Sequence, residues 1–277
     1  MKNYLSLMRE VLDQGEPRMD RTGVGTLALF GRMLEFDLKD GFPAVTTKRL
    51  AMSQVTAELA CFLRAYENLA DFEALGCKIW HANATAPSWL SKGRVPGDLG
   101  RTYGVQWRRW RKTNDMLGVT EVDQLREAVR LLRDESTSRR ICVTAWNPGE
   151  LDEMCLPPCH LYYQFYARND GGLDCFVVMR SVDVFLGMPF DIASYALLMH
   201  IVSGQVGRVP RRLIMTFGDT HIYKNHVDQC RAQLERAPQA LPQLLLKAGV
   251  TIDSYSPGDS TLVNYAPAPA IKAEMAL

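Results

Sequence analysis

The sequence predicts an α/β protein in which amphipathic helices pack on a β-sheet within one domain. Along the chain, segments with apolar residues at helical spacing are interspersed with segments in which apolar and other residues alternate. The 277 residues, 47% of them hydrophobic and 23% charged, are enough to bury one large core. Pro and Gly are scattered, so no interdomain linker is visible. We therefore expect residues 1–277 to form a single domain.

The first two elements are predicted to be a helix and a long strand. Residues 1–15, MKNYLSLMREVLDQG, mix charged and apolar side chains as an amphipathic helix does, and they do not read as a signal peptide. Residues 26–38, TLALFGRMLEFDL, alternate around Gly31, which predicts a strand with a bend or bulge. No apolar run approaches the ~18 residues that a membrane span requires.

The next elements are predicted to be two helices separated by an irregular insert. Apolar residues recur at helical spacing within residues 53–66 and again within residues 122–132. Residues 82–100 hold two prolines and three glycines, which predicts a loop. Both helices are expected to pack on the sheet.

The second half of the chain supplies most of the predicted sheet. Strands are expected at residues 140–146, 160–167, 173–180 and 213–217. Helices are expected at residues 192–206 and 221–236.

Charge and cysteine content restrict the class of partner. The seven cysteines show no CxxC or Cys/His finger spacing, which favours reduced thiols in a cytoplasmic protein. A net charge of +1 gives no general attraction to nucleic acid. His221 and His226 are five residues apart with no third ligand nearby, so we predict no metal site. Small-molecule ligands are expected rather than a membrane or a nucleic acid.

Cys159 is the candidate nucleophile. It lies in LPPCHL, after two prolines that exclude helix and before a predicted strand, so its side chain could be presented at the strand start. A thiol attacks at neutral pH only if its pKa is lowered, and nearby arginines favour the thiolate. From spacing alone, a buried and inert cysteine is the commoner outcome. His160 is expected to point to the opposite face of the strand.

Arginines recur where predicted turns meet strands. They are Arg21, the pair Arg139 and Arg140, and Arg180, which Ser181 follows. Guanidinium groups match phosphate oxygens two at a time and a serine hydroxyl adds a donor, so these residues could form one phosphate pocket. Solvated surface charge is the alternative explanation for each of them.

Three further polar residues are candidates for the same site. Glu58 falls between the apolar positions of its helix, where it is either a solvated carboxylate or a carboxylate at the edge of a pocket. His221 and Tyr223, in GDTHIYKNH, could bond sugar hydroxyls, although a lone histidine is more often structural.

Taken together, these segments resemble the thymidylate synthase family over nearly the whole chain. The motifs that carry the resemblance are, in order, DRTGVGT, DGFPAVTTKR, AELACFL, KIW, GDLGRTYGVQWR, SRRICVTAWNPGELD, LPPCHLYYQFY, RSVDVFLGMPFDIASYALL, GDTHIYKNHVDQ and IKAEMAL. Such an ordered series is far more specific than any motif within it. The resemblance implies an α/β fold of the α+β type, with a large mixed β-sheet, flanking helices and a sheet face at the interface of an obligate homodimer.

The resemblance also implies a role for individual residues. Cys159 would add to C6 of the pyrimidine, with Glu58, Tyr103 and Asp191 as the other catalytic residues. The nucleotide phosphate and sugar would be bound by Arg21, Arg180, Ser181, His221 and Tyr223, together with Arg139 and Arg140 donated by the partner subunit. The surface for 5,10-methylenetetrahydrofolate would comprise Ile79, Trp80, Asp183, Leu186, Gly187, Phe190 and, in the closing tail, Ala276.

The sequence departs from this family pattern at three places. Asp191 stands in FDIAS where thymidylate synthases read FNIAS, Asn83 replaces a usual tryptophan after KIW, and Arg101-Thr102 replaces a small apolar pair. An ionised carboxylate cannot donate to uracil O4, whereas it accepts from the N4 amino group of cytosine. Within this resemblance, Asp at this position is typical of cytosine-specific relatives. The alternative is that Asp191 has only a structural role, as the cap of the helix that begins at IASYALL. Arg101-Thr102 receives no role from the sequence.

The sequence thus predicts a folate-dependent transferase that methylates or hydroxymethylates C5 of dCMP. Loss of the aromatic wall at Asn83 would admit water and favour hydroxymethylation, whereas the intact tail favours methylation. Thymidylate synthase activity on dUMP is the first alternative. A non-catalytic nucleotide sensor or RNA-binding regulator is the second, although a pure binder needs no nucleophile.

Overall fold

The computed structural model describes residues 1–114 and 118–275. Over these residues the strands are β1 (Glu16–Arg18), β2 (Thr26–Asp37), β3 (Trp110–Asn114), β4 (Gly118–Val122), β5 (Cys142–Thr144), β6 (His160–Ala167), β7 (Gly172–Asp183), β8 (Val209–Tyr223), β9 (Gln243–Leu246) and β10 (Ser260–Val263). Within this part of the chain, six strands form one mixed sheet in the order β1-β2-β8-β7-β6-β5. Strands β7 and β8 run parallel and the other neighbours in that sheet run antiparallel.

The helices flank this sheet. They are α1 (Lys2–Gln14), α2 (Met52–Leu63), α3 (Leu69–Ala74), α4 (His81–Ala84), α5 (Pro87–Leu90), α6 (Tyr103–Arg108), α7 (Gln124–Asp134), α8 (Gly187–Gln205) and α9 (Val227–Leu234). Short 3₁₀ turns cover Leu38–Asp40, Pro148–Glu153, Lys224–His226 and Pro257–Asp259. Among the described residues, none of the helices combines the length and the apolar character needed to cross a membrane.

The two faces of the large sheet differ in burial. Met215 and Val177 are partners in register on neighbouring strands and both are fully buried on the face that α8 covers. Helix α8 is apolar on all sides because it lies between this face and other helices. The opposite face, which we call the outer face, carries Met33, Tyr162, Tyr166, Val178 and Thr216; Met33 is 61% and Tyr166 is 66% exposed. A mixed sheet with flanking helices confirms the predicted fold class.

Several predicted elements are confirmed. Strand β6 has the predicted bounds, and β7 and β8 extend beyond the predicted segments at both ends. The predicted bend in β2 occurs at Gly31, whose φ of 75° lies in the left-handed region, and the pairing with β8 keeps one register across it. The strand predicted at residues 140–146 is shorter, because pairing with β6 covers only Cys142–Thr144.

Two predicted segments differ in part from the structure. The loop or irregular insert predicted at residues 82–100 contains α5 and most of α4; Pro87 is compatible with helix there since it occupies the first turn. The helix predicted from residue 221 begins only at Val227. His221 belongs instead to β8, where it pairs with Ala28 on one side and Asp183 on the other.

Candidate active site

A cleft of about 850 Å³ opens at the carboxyl ends of β7 and β8. Because these strands are parallel, their ends lie at the same edge of the sheet. Ser181 and Asp183 come from β7, and Asp219, His221 and Tyr223 come from β8. Further lining residues come from segments 18–21, 82–92 and 146–159.

Cys159 lines the cleft immediately before β6 begins. Its backbone N–H donates to the hydroxyl of Tyr103 at 2.9 Å. The guanidinium of Arg180 donates to the carbonyls of Pro157 and Pro158, each at 2.8 Å. Its Nη2 also lies 3.7 Å from Cys159 Sγ. Arg180 therefore holds the two-proline turn in place and brings positive charge beside the thiol.

The thiol of Cys159 is nevertheless not activated within one chain. Burial raises its pKa above the ordinary value, and the charge of Asp191 acts in the same direction. The charges of Arg180 and Arg21 and a hydrogen bond with Tyr103 act against this rise without cancelling it. Arg180 and Arg21 thus favour the thiolate, but within one chain desolvation of the thiolate is the larger effect and the net pKa is raised.

The predicted phosphate ligands divide into two groups. Arg21, Arg180 and Ser181 line the same cleft as Cys159. Arg139 and Arg140 are exposed just before β5, away from this cleft. Within one chain the cleft thus holds three of the five predicted anion ligands.

The turn that carries Arg21 is built around Asp20. Its carboxylate accepts hydrogen bonds from the backbone N–H of Thr22 at 3.2 Å and of Gly25 at 3.1 Å, and from the Thr22 hydroxyl at 2.8 Å. These N–H groups are therefore satisfied by the chain itself. The glycines of DRTGVGT shape a turn, and Arg21 rather than the turn backbone is available to bind an anion.

Asp191 lies in the second turn of α8, which begins at Gly187. It cannot be the N-cap of this helix, so the capping alternative is wrong. Its Oδ1 is 2.8 Å from Nε2 of His160. The ring of His160 is buried, and its centroid lies 4.9 Å from that of Tyr103. The carboxylate is therefore fixed close enough to Cys159 for its charge to act on the thiol.

Glu58 lies on α2 behind these groups. Its Oε1 accepts a hydrogen bond from the indole N–H of Trp80 at 2.7 Å. Burial raises the pKa of Glu58 to about 7, because the hydrogen bond from Trp80 only partly offsets the loss of hydration. A carboxyl with this pKa exchanges protons readily near neutral pH.

The predicted sugar ligands lie on the far wall of the cleft. Nδ1 of His221 is 2.8 Å from Oδ1 of Asp219, and the ring of Tyr223 packs edge-on against the imidazole at 5.0 Å between centroids. Arg18 Nη1 lies 3.4 Å from the second oxygen of Asp219. The imidazole is thus held by neighbours on two sides.

The predicted folate residues are only partly brought together. Asp183 lines the cleft, and its Oδ1 accepts from the backbone N–H groups of Phe185 and Leu186, just before α8 begins. Trp80 is buried edge-on against Phe62 and Phe72 and is not among the residues that line the cleft. Half-buried residues outside the lining are Ile79, Leu186, Gly187 and Phe190. Ala276 lies outside the described residues, whereas Met275 beside it lines the cleft.

Several residues of the site were not predicted. Arg18, Trp146 and Asp219 line the cleft, and His160 fixes Asp191. Asp219 could have been found from its position two residues before His221 on the same strand. The other contacts join segments distant in sequence, so local patterns carry no signal for them.

Within the described ranges, no cluster of three or more His, Cys, Asp or Glu side chains is arranged to hold a metal ion.

A comparison with known protein families gives a match over nearly the whole chain. The model of the family described as Thymidylate synthase matches residues 2–277. The match therefore covers every residue of the cleft.

Proposed function

This chain belongs to the thymidylate synthase family, and we propose that it transfers a one-carbon unit to C5 of dCMP. Folate-dependent transfer to C5 of a pyrimidine nucleotide is the reaction of the family, with 5,10-methylenetetrahydrofolate as the donor. The choice of cytosine over uracil, the roles of single residues and the product are our proposal.

The cleft fits a nucleotide and a folate together. Its volume of about 850 Å³ lies toward the upper end of ligand sites. Trp146 offers aromatic surface, and Asp183 offers a carboxylate to the amino and ring N–H donors of a pterin. We propose that these two residues contact the folate, which would supply the one-carbon unit.

Cys159 would act as the nucleophile on the base. As the thiolate it would add to C6, so that the S–C6 bond forms and the electron pair of the C5–C6 double bond moves to C5, which becomes nucleophilic. The folate would supply the one-carbon unit that C5 takes up, and later breaking of the S–C6 bond would return its electron pair to sulfur. Arg21, Arg180 and Ser181 would bind the phosphate, and this binding would hold C6 at attack distance from sulfur. The arginines would also favour the thiolate against the effect of burial.

Glu58 would relay protons at the base. Its pKa of about 7 lets it accept and return a proton at neutral pH. Tyr103 would hold the Cys159 backbone through the 2.9 Å hydrogen bond.

The observation that carries the cytosine assignment is the carboxylate of Asp191 in the body of α8, held by His160 and near enough to Cys159 for its charge to act on the thiol. Cytosine presents an amino donor at N4 and an acceptor at N3, whereas uracil presents the opposite pattern. An ionised carboxylate accepts from the N4 amino group, and one shared proton bridges to N3. Each carboxylate oxygen has two lone pairs, so the bond from His160 leaves acceptor capacity on both.

The test is Asp191→Asn. The amide donates to uracil O4 and accepts from N3–H, so the ratio of kcat/KM for dCMP to that for dUMP is expected to fall by ~100-fold or more. Asp228→Asn is the matched control, since that side chain is 92% exposed on α9. If the unmodified protein turns over dUMP better than dCMP, the cytosine assignment is wrong. Turnover of neither nucleotide would favour the non-catalytic regulator.

The product depends on what adds to the transferred carbon once it is attached to C5. A hydride supplied by the folate would give 5-methyl-dCMP, and water would give 5-hydroxymethyl-dCMP. Met275 of the tail lines the cleft and would shield the carbon, whereas Asn83 makes the opposite wall polar. We propose the methyl product on the first observation, and the mass of the product made from dCMP tests it.

A further inference from the structure

Two side chains at the carboxyl end of β8 form a hydrogen-bonded pair inside the cleft. Asp219 and His221 are separated by one strand residue, so they point to the same side, and both line the cleft. Asp219 Oδ1 lies 2.8 Å from His221 Nδ1, and Arg18 lies 3.4 Å from the other oxygen. The carboxylate is thus held by a different partner at each oxygen.

This geometry determines which nitrogen of the imidazole carries the proton. The hydrogen bond with His221 is the largest of the effects that hold the pKa of Asp219 below its ordinary value, so the carboxylate is ionised and only accepts. The shared proton therefore belongs to Nδ1, so Nε2 carries the lone pair when the ring is neutral. Among the hydrogen bonds of residues 1–114 and 118–275, none uses Nε2 of His221.

We propose that Asp219 is a positioning residue that makes His221 a hydrogen-bond acceptor, and that this selects nucleotides with a free 3′-hydroxyl group. The inference rests on the proposed function in that the cleft binds a nucleotide whose sugar faces His221. A hydroxyl donates its proton to Nε2. A substituent without a proton cannot donate a hydrogen bond to Nε2. A 3′-phosphate brings negative oxygens toward both the lone pair of Nε2 and the carboxylate of Asp219. The site therefore accepts mononucleotides and rejects 3′-phosphorylated ones.

Asp219→Asn reverses the tautomer in a nearly isosteric side chain. The amide oxygen is expected to face the guanidinium of Arg18, so the amide NH₂ faces His221 and donates to Nδ1. The proton then moves to Nε2, which becomes a donor. Nitrogen-15 NMR of the His221 ring in the unliganded protein reads this directly, and a role in folding alone would not change it.

Binding is measured by calorimetry with dCMP and with 2′,3′-dideoxy-3′-fluorocytidine monophosphate, whose fluorine resembles a hydroxyl in size but has no proton. The unmodified protein is expected to bind dCMP ~10- to 100-fold more tightly than the fluoro analogue. In Asp219→Asn this preference is expected to shrink by ~10-fold or more, because an N–H meets either substituent without a lone-pair clash. Asp134→Asn, on an exposed part of α7, is the matched control.

The same pair of sugars is tested on uracil, so the result does not depend on the base. The protein could prefer dUMP to dCMP and still show the expected preference for the 3′-hydroxyl over the 3′-fluorine. That outcome would overturn the cytosine assignment and support the role of Asp219. An unprotonated Nδ1 or a doubly protonated ring in the unmodified protein would overturn the inference. The inference would also be overturned if NMR shows that the proton of His221 has moved to Nε2 in Asp219→Asn, yet that variant still prefers the 3′-hydroxyl to the 3′-fluorine as strongly as the unmodified protein does.

Discussion

Among single residues, Cys159 and Glu58 share one physical condition. Burial raises the pKa of both, and in each case a neighbouring donor only partly opposes the rise. For Glu58 this brings the pKa to about 7 and into a useful range. For Cys159 it favours the neutral thiol, so the nucleophile depends on positive charge. Arg180 at 3.7 Å is one source of that charge, and arginines from a second chain would be another.

The first prediction concerns Cys159→Ser. The hydroxyl is a far weaker nucleophile than a thiolate, so turnover is expected to fall by at least ~10³-fold. Binding of dCMP measured by calorimetry should change little, because the contacts of Arg180 with the proline carbonyls do not involve sulfur. Cys175→Ser, in the buried part of β7, controls for thiol loss outside the cleft. Substantial activity in Cys159→Ser would exclude the nucleophile role.

The second prediction concerns the pH dependence of stability at Glu58. Its pKa is about 7 in the folded protein and near 4.5 in the unfolded chain, so the folded state binds more protons between these values. The contribution of Glu58 to the free energy of unfolding is therefore largest below pH 4.5 and is lost as pH rises to about 7. Glu58→Gln should remove this slope in urea unfolding at a series of pH values. Parallel curves for the two proteins across that window would contradict the assignment.

At the scale of elements, the sequence predicts what periodicity encodes and misses what tertiary pairing decides. The bounds of β6 follow from alternation alone. The stretch around His221 is compatible with helical spacing, yet it pairs with strands on both sides, and these pairings are invisible in the local sequence. A capping role for Asp191 requires a helix that begins at IASYALL, whereas α8 begins more than one turn earlier, at Gly187.

Arg101, which has no role from sequence alone, joins two elements next to the cleft. Its side chain is 5% exposed and its Nε lies 2.8 Å from Oε2 of Glu150. Gln106 of α6 donates to the same oxygen at 2.7 Å, and Arg111 of β3 lies 3.3 Å from the other oxygen. This network ties the 3₁₀ turn Pro148–Glu153 to α6 and β3. Leu151 in that turn lines the cleft.

The third prediction follows from this buried pair. Arg101→Leu leaves Glu150 partly uncompensated, so the free energy of unfolding is expected to fall by about 3 kcal/mol, measured by denaturant titration. Arg126→Leu is the matched control, because its ion pair with Asp253 joins side chains that are 66% and 50% exposed. That change is expected to cost under about 1 kcal/mol. Equal losses in the two variants would show that burial of the Arg101 pair is energetically unimportant.

At the scale of the whole molecule, the residues of the site could be predicted only from the ordered series of motifs that resembles the family. Cys159, Arg21 and Arg180 converge in one cleft although they are far apart in sequence. The contact between His160 and Asp191 was missed, because it depends on how β6 packs against α8 rather than on either local pattern. Family members are homodimers, and we propose that the outer face forms the interface.

The last prediction tests whether two chains complete each cleft. Arg139 and Arg140 are exposed beside β5 and away from their own cleft, so the resemblance predicts that they act in the partner's site.

Arg139→Ala and Cys159→Ser should each be inactive alone. In a mixed dimer, one of the two clefts contains both the intact cysteine of one chain and the intact arginine of its partner. After full exchange of equal amounts, roughly a quarter of the wild-type activity should return, since half the dimers are mixed and each has one complete site. Subunit exchange is verified by native mass spectrometry with one variant isotopically labelled. No recovery despite exchange would mean that Arg139 does not act in the partner's cleft, and activity of Arg139→Ala on its own would mean that Arg21, Arg180 and Ser181 bind the phosphate without it.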